Sequence, residues 1–169
     1  MDKAWHSYAA EQIPEEILYG GVTFRPGEAD YDNAVACDGQ TLALPAGTRG
    51  VYLLAAASEG DKEAVFHCGS DVSVSIPCWT GFFGSGYWEP YQAFLKEGDV
   101  AYVGSHRHDS SKRDEIYVET YMYMVYIPVP DGVTELVLPK DKEITVFAAE
   151  ARMTPRSEAR EITNSVTRL

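Results

Sequence analysis

Residues 101–109 read AYVGSHRHD, and within them His106, Arg107, His108 and Asp109 form the densest run of polar chemistry in the chain. A strand alternates its side chains between two faces, so His106 and His108, two apart, share a face and could chelate one cation as neutral imidazoles. Two ligands do not make a zinc site. A third must come from elsewhere, with further groups to orient the rings. Cys37, Cys68 and Cys78 have no metal-ligand spacing that would help, so no metal is assigned. Ser105 adjoins His106, and Asp109 could orient an imidazole. No GxSxG elbow accompanies that serine, and neighbours along a strand point to opposite faces, so no catalytic residue is assigned either.

Upstream, residues 79–94 read WTGFFGSGYWEPYQAF, with seven aromatics and with Gly81, Gly84 and Gly86 to let the backbone turn. Sugar rings stack their apolar faces on Trp and Tyr while charged side chains hydrogen-bond the hydroxyls around the rim. Tyr87, Trp88 and Tyr91, with His106, Arg107, His108 and Asp109 beside them, are therefore the candidate carbohydrate-binding residues. The other reading of this loop has its aromatics plugging one open end of the fold. Trp79, next to a core strand, is expected to be structural. A second polar loop carries Glu28, Asp30, Asp32 and Asn33. It could hold a structural calcium, but its spacing matches no EF-hand, and it reads as a solvated acidic loop without a cofactor.

The elements that must position these residues are strands. Residues 51–57, VYLLAAA, form a continuous apolar run bounded by Gly50 and by Ser58-Glu59-Gly60, the pattern of a central strand buried on both faces. Residues 100–105 and 116–127 read as strands flanking the polar connection 109–114, and the aromatic and β-branched content of IYVETYMYMVYI favours one long strand. Residues 21–24, 134–138 and 144–151 add others. Residues 34–37 and 41–44 flank Asp38-Gly39, a hairpin signal. For residues 62–68 and 72–78, a loop at 69–71 sets Val72, Val74 and Ile76 opposite Cys68, Phe66 and Ala64, an apolar face, and places Cys78 near Lys62. Residues 1–17 read as an irregular lead-in with at most a helical turn. Strands about ten residues apart, with Gly, Pro and Asp turns between them and no crossover helix, predict an all-β protein. The expected architecture is an antiparallel β-sandwich of jelly-roll, galactose-binding-like type over residues 1–153, followed by a polar tail at 154–169.

Composition narrows the function classes. The 169 residues carry 14 basic and 26 acidic side chains, a net charge of -12, and no basic cluster follows a phosphate backbone, which argues against nucleic acid. No apolar run is long enough to span a bilayer and no signal peptide is evident, so no membrane partner is expected. Three cysteines without CxxC spacing read as free thiols, which favours a reducing, cytoplasmic compartment.

The segments YAAEQIP, GGVTFRPG, NAVACDGQTLALPAG, VYLLAAASEGD, WTGFFG, SHRH and YMYMVYIPVPDGVTELVLPKDKEITVFAAEA run in that order through residues 8–151. As a series they resemble the β-sandwich module found beyond the catalytic core in long bacterial α-mannosidases of glycoside hydrolase family 38. The resemblance implies a non-catalytic accessory domain, because hydrolysis in such enzymes belongs to a separate zinc-dependent domain with an aspartate nucleophile. It implies two partners: that catalytic domain of a parent enzyme, and a mannose-containing glycan which the module binds or positions. The alternative is a purely structural module without a ligand. Burial of His106, Arg107 and His108 separates the two.

Overall fold

The computed structural model describes residues 2–28, 33–82 and 98–155. Residue 1, the acidic loop at 29–32, most of the aromatic loop and the tail lie outside these, and with them Asp30, Asp32, Tyr87, Trp88 and Tyr91. The chain is all-β, with a single 3-10 turn, Ala10–Gln12, as its helical element among the described residues.

The protein is an antiparallel β-sandwich, organised around a strand that has no solvent face. β6 (Gly50–Ala57) is buried at all eight positions. Its alternate side chains enter two different cores: Val51, Leu53, Ala55 and Ala57 one, Tyr52, Leu54 and Ala56 the other. A strand covered on both faces has no polar alternation to show, which is why VYLLAAA reads as unbroken apolar sequence. β11 (Asp114–Pro128) and β13 (Ile144–Arg152) flank β6 in the main sheet. Outside β11 lies β10 (Val100–His108), and beyond it β1 (Ser7–Tyr8) forms the edge. β4 (Val35–Ala36) closes the far edge, and β9 (Thr80–Phe82) pairs with β11.

One face of this sheet packs on a smaller one made of β5 (Thr41–Ala43), β12 (Glu135–Val137), β7 (Lys62–Cys68) and β8 (Ser70–Ile76). Phe66, Ile76, Leu136 and Ile127 are sealed between the two. The other face is covered by the pair β2 (Ile17–Tyr19) and β3 (Val22–Phe24), with Tyr8 and Trp79 filling the space beside it. Each fully buried large side chain contributes about 1.5–3 kcal/mol relative to exposure.

Four expectations change. Residues 34–37 and 41–44 do not pair with each other: β4 joins β13 in the main sheet and β5 joins β12 in the small one. The Asp38-Gly39 turn crosses between sheets, with Gly39 at φ 77. Its shape is held by the Gln40 side chain, which accepts from Asp38 N at 2.7 Å and donates to Ala36 O at 2.9 Å. β7 and β8 keep the apolar face predicted for them but slide by two residues, so Val72 faces Phe66, Val74 faces Ala64 and Ile76 faces Lys62. The chain reverses at Gly69, whose φ of 70 allows a tighter turn than the loop at 69–71. Cys78 accordingly leaves this hairpin and bridges Ala57, and all three thiols are free. The lead-in at 1–17 contributes an edge strand and the start of a second, and β10 runs on through His108 instead of ending at Ser105.

Candidate functional site

β10 places the histidines by simple alternation, and its partners decide what they meet. Across the hairpin to β11, His106 lies opposite Ile116, Arg107 opposite Glu115 and His108 opposite Asp114; on its other side β1 sets Tyr8 against Arg107 and Ser7 against His108. His106, His108 and Asp114 thus share one face, and Arg107 and Glu115 the other.

On the first face the Ala10–Gln12 turn lowers Glu11 onto the strand. Glu11 Oε1 stands 3.3 Å from His106 Nε2 and 3.4 Å from His108 Nε2. Asp114 Oδ1 stands 3.6 Å and 3.2 Å from the same two nitrogens. The imidazoles are 13% and 18% exposed, the two carboxylates 57% and 59%. His106 Nε2 itself is buried without a hydrogen-bond partner. A hydrogen bond from its own backbone amide, with the two imidazoles, holds the Glu11 carboxyl below the usual range, against the opposing effect of burial. The far side of the His106 ring is also held: Nδ1 lies 2.7 Å from Gln12 Nε2 and 3.2 Å from Ser105 Oγ. Gln12 Oε1 in turn accepts from Ser105 N at 2.9 Å.

That last contact departs from the rule that neighbouring residues point apart. The β10–β11 register shifts between Gly104 and His106, and this bulge swings Ser105 toward the ring of its neighbour. Gly104 is required there, since a Cβ would collide with Thr120 Oγ1 and lie 2.9 Å from Tyr102 Oη. A Ser–His contact still makes no triad, because Asp109 is engaged elsewhere. Its carboxylate accepts from Ser111 N at 2.7 Å and Arg113 N at 3.0 Å and pairs with the Arg113 guanidinium, closing the β10–β11 turn.

On the second face Arg107, 14% exposed, donates from Nε to Glu115 at 2.6 Å and lies 3.5 Å from Asp2. Asp2 also binds the His6 ring at 2.8 Å. Burial raises the Asp2 carboxyl, but hydrogen bonds from His6 and Ala4 outweigh it and hold the group below its ordinary value.

The sequence placed His106 and His108 on one face and left them without a third ligand. Glu11 and Asp114 are the carboxylates that meet them, the first from a lead-in with no legible docking geometry. Asp114 had a signal: once residues 109–113 are read as a turn, it falls opposite His108. Trp79 is fully buried, its ring 5.0 Å from that of Tyr8. Of the acidic loop, Glu28 and Asn33 are described, and Asn33 Nδ2 donates to Gly27 O at 3.3 Å. A cleft of about 760 Å3 runs beside them, lined by Tyr8, Ile13, Pro14, Met122 and Phe147 among others, and by none of His106, Arg107, His108 and Asp109.

Compared with known proteins, residues 1–154 match the model of a family described as the AziU2-like beta-sandwich domain. No curated protein matches the chain.

Proposed function

The chain belongs to the AziU2-like beta-sandwich domain family, and from that premise we propose that it is a non-catalytic accessory module whose own contribution is structural, packing against a separate catalytic domain. The observation that carries this reading is the inward pairing of the polar edge. His106, Arg107 and His108 are 13%, 14% and 18% exposed and face Glu11, Asp114, Glu115 and Asp2. A rim built to hold sugar hydroxyls would present such groups to solvent, whereas these hold the N-terminal segment onto the sheet.

The finer reading is an α-mannosidase-like parent enzyme whose mannose-containing glycan is positioned by Tyr87, Trp88 and Tyr91. It is supported by the resemblance over residues 8–151 and by the aromatic content of residues 79–94. Calorimetric titration of the full chain with mannose oligosaccharides separates the two. The structural reading expects no heat at millimolar sugar, and an Arg107→Ala variant that is less stable by about 1–3 kcal/mol in urea, from the charges it leaves unpaired. Saturable heat that Trp88→Ala abolishes in a folded chain would establish the glycan reading instead. Docking itself is tested by reading the gene around this sequence and co-expressing the chain with any enzyme domain found there. Stable co-elution supports the module, and separate elution overturns it.

A further inference from the structure

We propose that Glu11, His106, His108 and Asp114 form a site for one divalent cation of the zinc class, which pins the Ala10–Gln12 turn to the β10–β11 edge. The distances carry the argument. Charge-assisted hydrogen bonds between imidazole and carboxylate run at about 2.7–2.9 Å, and the four separations here are 3.3, 3.6, 3.4 and 3.2 Å. Each is long for a hydrogen bond and close to the edge of about 3.4 Å between two ligands that stand roughly 2.0–2.1 Å from a tetrahedral ion. As they stand, Glu11, His106 and His108 bring one ligand atom each within 4.8 Å of one another; Asp114 lies outside that set and becomes the fourth ligand by turning its exposed carboxylate toward Glu11.

The burial pattern agrees. His106 Nε2 is a buried nitrogen with no hydrogen-bond partner, aimed at both carboxylates. The sheet holds the imidazoles in place, while the more exposed carboxylates are free to close on an ion. Two imidazole nitrogens with two carboxylate oxygens suit a borderline cation such as Zn2+ better than Mg2+ or Ca2+, which take oxygen alone. Four protein ligands make a closed, structural centre. Ligation through Nε2 puts the His106 proton on Nδ1, where Ser105 Oγ at 3.2 Å accepts it, while Gln12 Oε1 stays on Ser105 N and the Gln12 NH2 group swings away from the ring.

The test is titration of Zn2+ into the chelator-stripped full chain, beside Glu11→Gln, His108→Asn and the control His67→Asn, whose ring pairs with Asp71 at 2.8 Å on the small sheet. One equivalent is expected to bind saturably. Both site variants should weaken it by about tenfold or more, with His67→Asn unchanged and a zinc-dependent rise in Tm only where the site is intact. Glu11 is an exposed side chain, so Glu11→Gln reads ligation without disturbing the core, and circular dichroism confirms that His108→Asn is folded. Co2+ should give the visible bands of a four-coordinate ion without thiolate charge transfer. Absent saturable binding, binding indifferent to Glu11→Gln and His108→Asn, or a thiolate band each overturns the proposal.

Discussion

At His106 the controlling detail is which ring nitrogen carries the proton. Gln12 presents its amide to Nδ1 at 2.7 Å and its oxygen to Ser105 N at 2.9 Å. A carboxylate in that place would accept from both donors at once, raise the basicity of Nε2 and fix the ligating tautomer. Gln12→Glu is therefore expected to tighten Zn2+ about tenfold, read by competition with a chelating dye. Gly104 sits beside this residue at the bulge. Gly104→Ala drives a methyl group into Thr120 Oγ1 and Tyr102 Oη, so urea denaturation should show a loss of about 1–3 kcal/mol. At this scale the sequence showed that His106 and His108 share a face, because the two-residue period of a strand is a local property. It did not show Glu11, which meets them only after the lead-in folds back across more than ninety residues, nor the shift at Gly104 that turns Ser105 toward the ring.

Among the elements, the N-terminal segment is tied down twice, at the β10 edge and at the opposite end by Glu143. Glu143 pairs with Lys3 at 2.7 Å and with Lys62 on β7, and its backbone joins Ser58 at the end of β6. Hydrogen bonds from Lys3 and Lys62 lower its carboxyl from an ordinary 4.5 to about 2. A folded value below the unfolded one means that the ionised carboxylate favours the native state. Its contribution is complete above about pH 4.5 and is lost as the pH falls toward 2. Acid titration followed by circular dichroism should show this component in the wild type and not in Glu143→Gln. The β4 and β5 assignment teaches a related point. Asp38-Gly39 is a turn whichever strands it joins, and its dipeptide chemistry is indifferent to whether the chain returns to its own sheet or crosses to the next. Likewise the alternation in β7 and β8 determined which side chains face the core, but a slide of two residues preserves that face and is invisible to it.

In the molecule as a whole, two apolar layers share β6, and this predicts cooperative unfolding. Phe66 is sealed between the sheets and Trp79 lies in the other core, yet both cores draw on alternate residues of one strand. Phe66→Ala should cost about 3–5 kcal/mol, and far-UV circular dichroism and tryptophan fluorescence should still report the loss at the same urea midpoint; separate transitions would show the two cores to be independent. What the sequence by itself determined is what depends on neighbours along the chain: the all-β class, the doubly buried β6, the long β11, the free thiols and the shared face of the two histidines. Tertiary structure alone decided which strands share a sheet, that Cys78 leaves its hairpin, and that the polar run of β10 turns inward to Asp2, Glu11, Asp114 and Glu115. The physical reason is that period and turn chemistry act over a few residues. A four-residue cluster drawn from positions 11, 106, 108 and 114 exists only when one remote segment, the lead-in that carries Glu11, is held against the β10–β11 hairpin by burial that neither could supply alone.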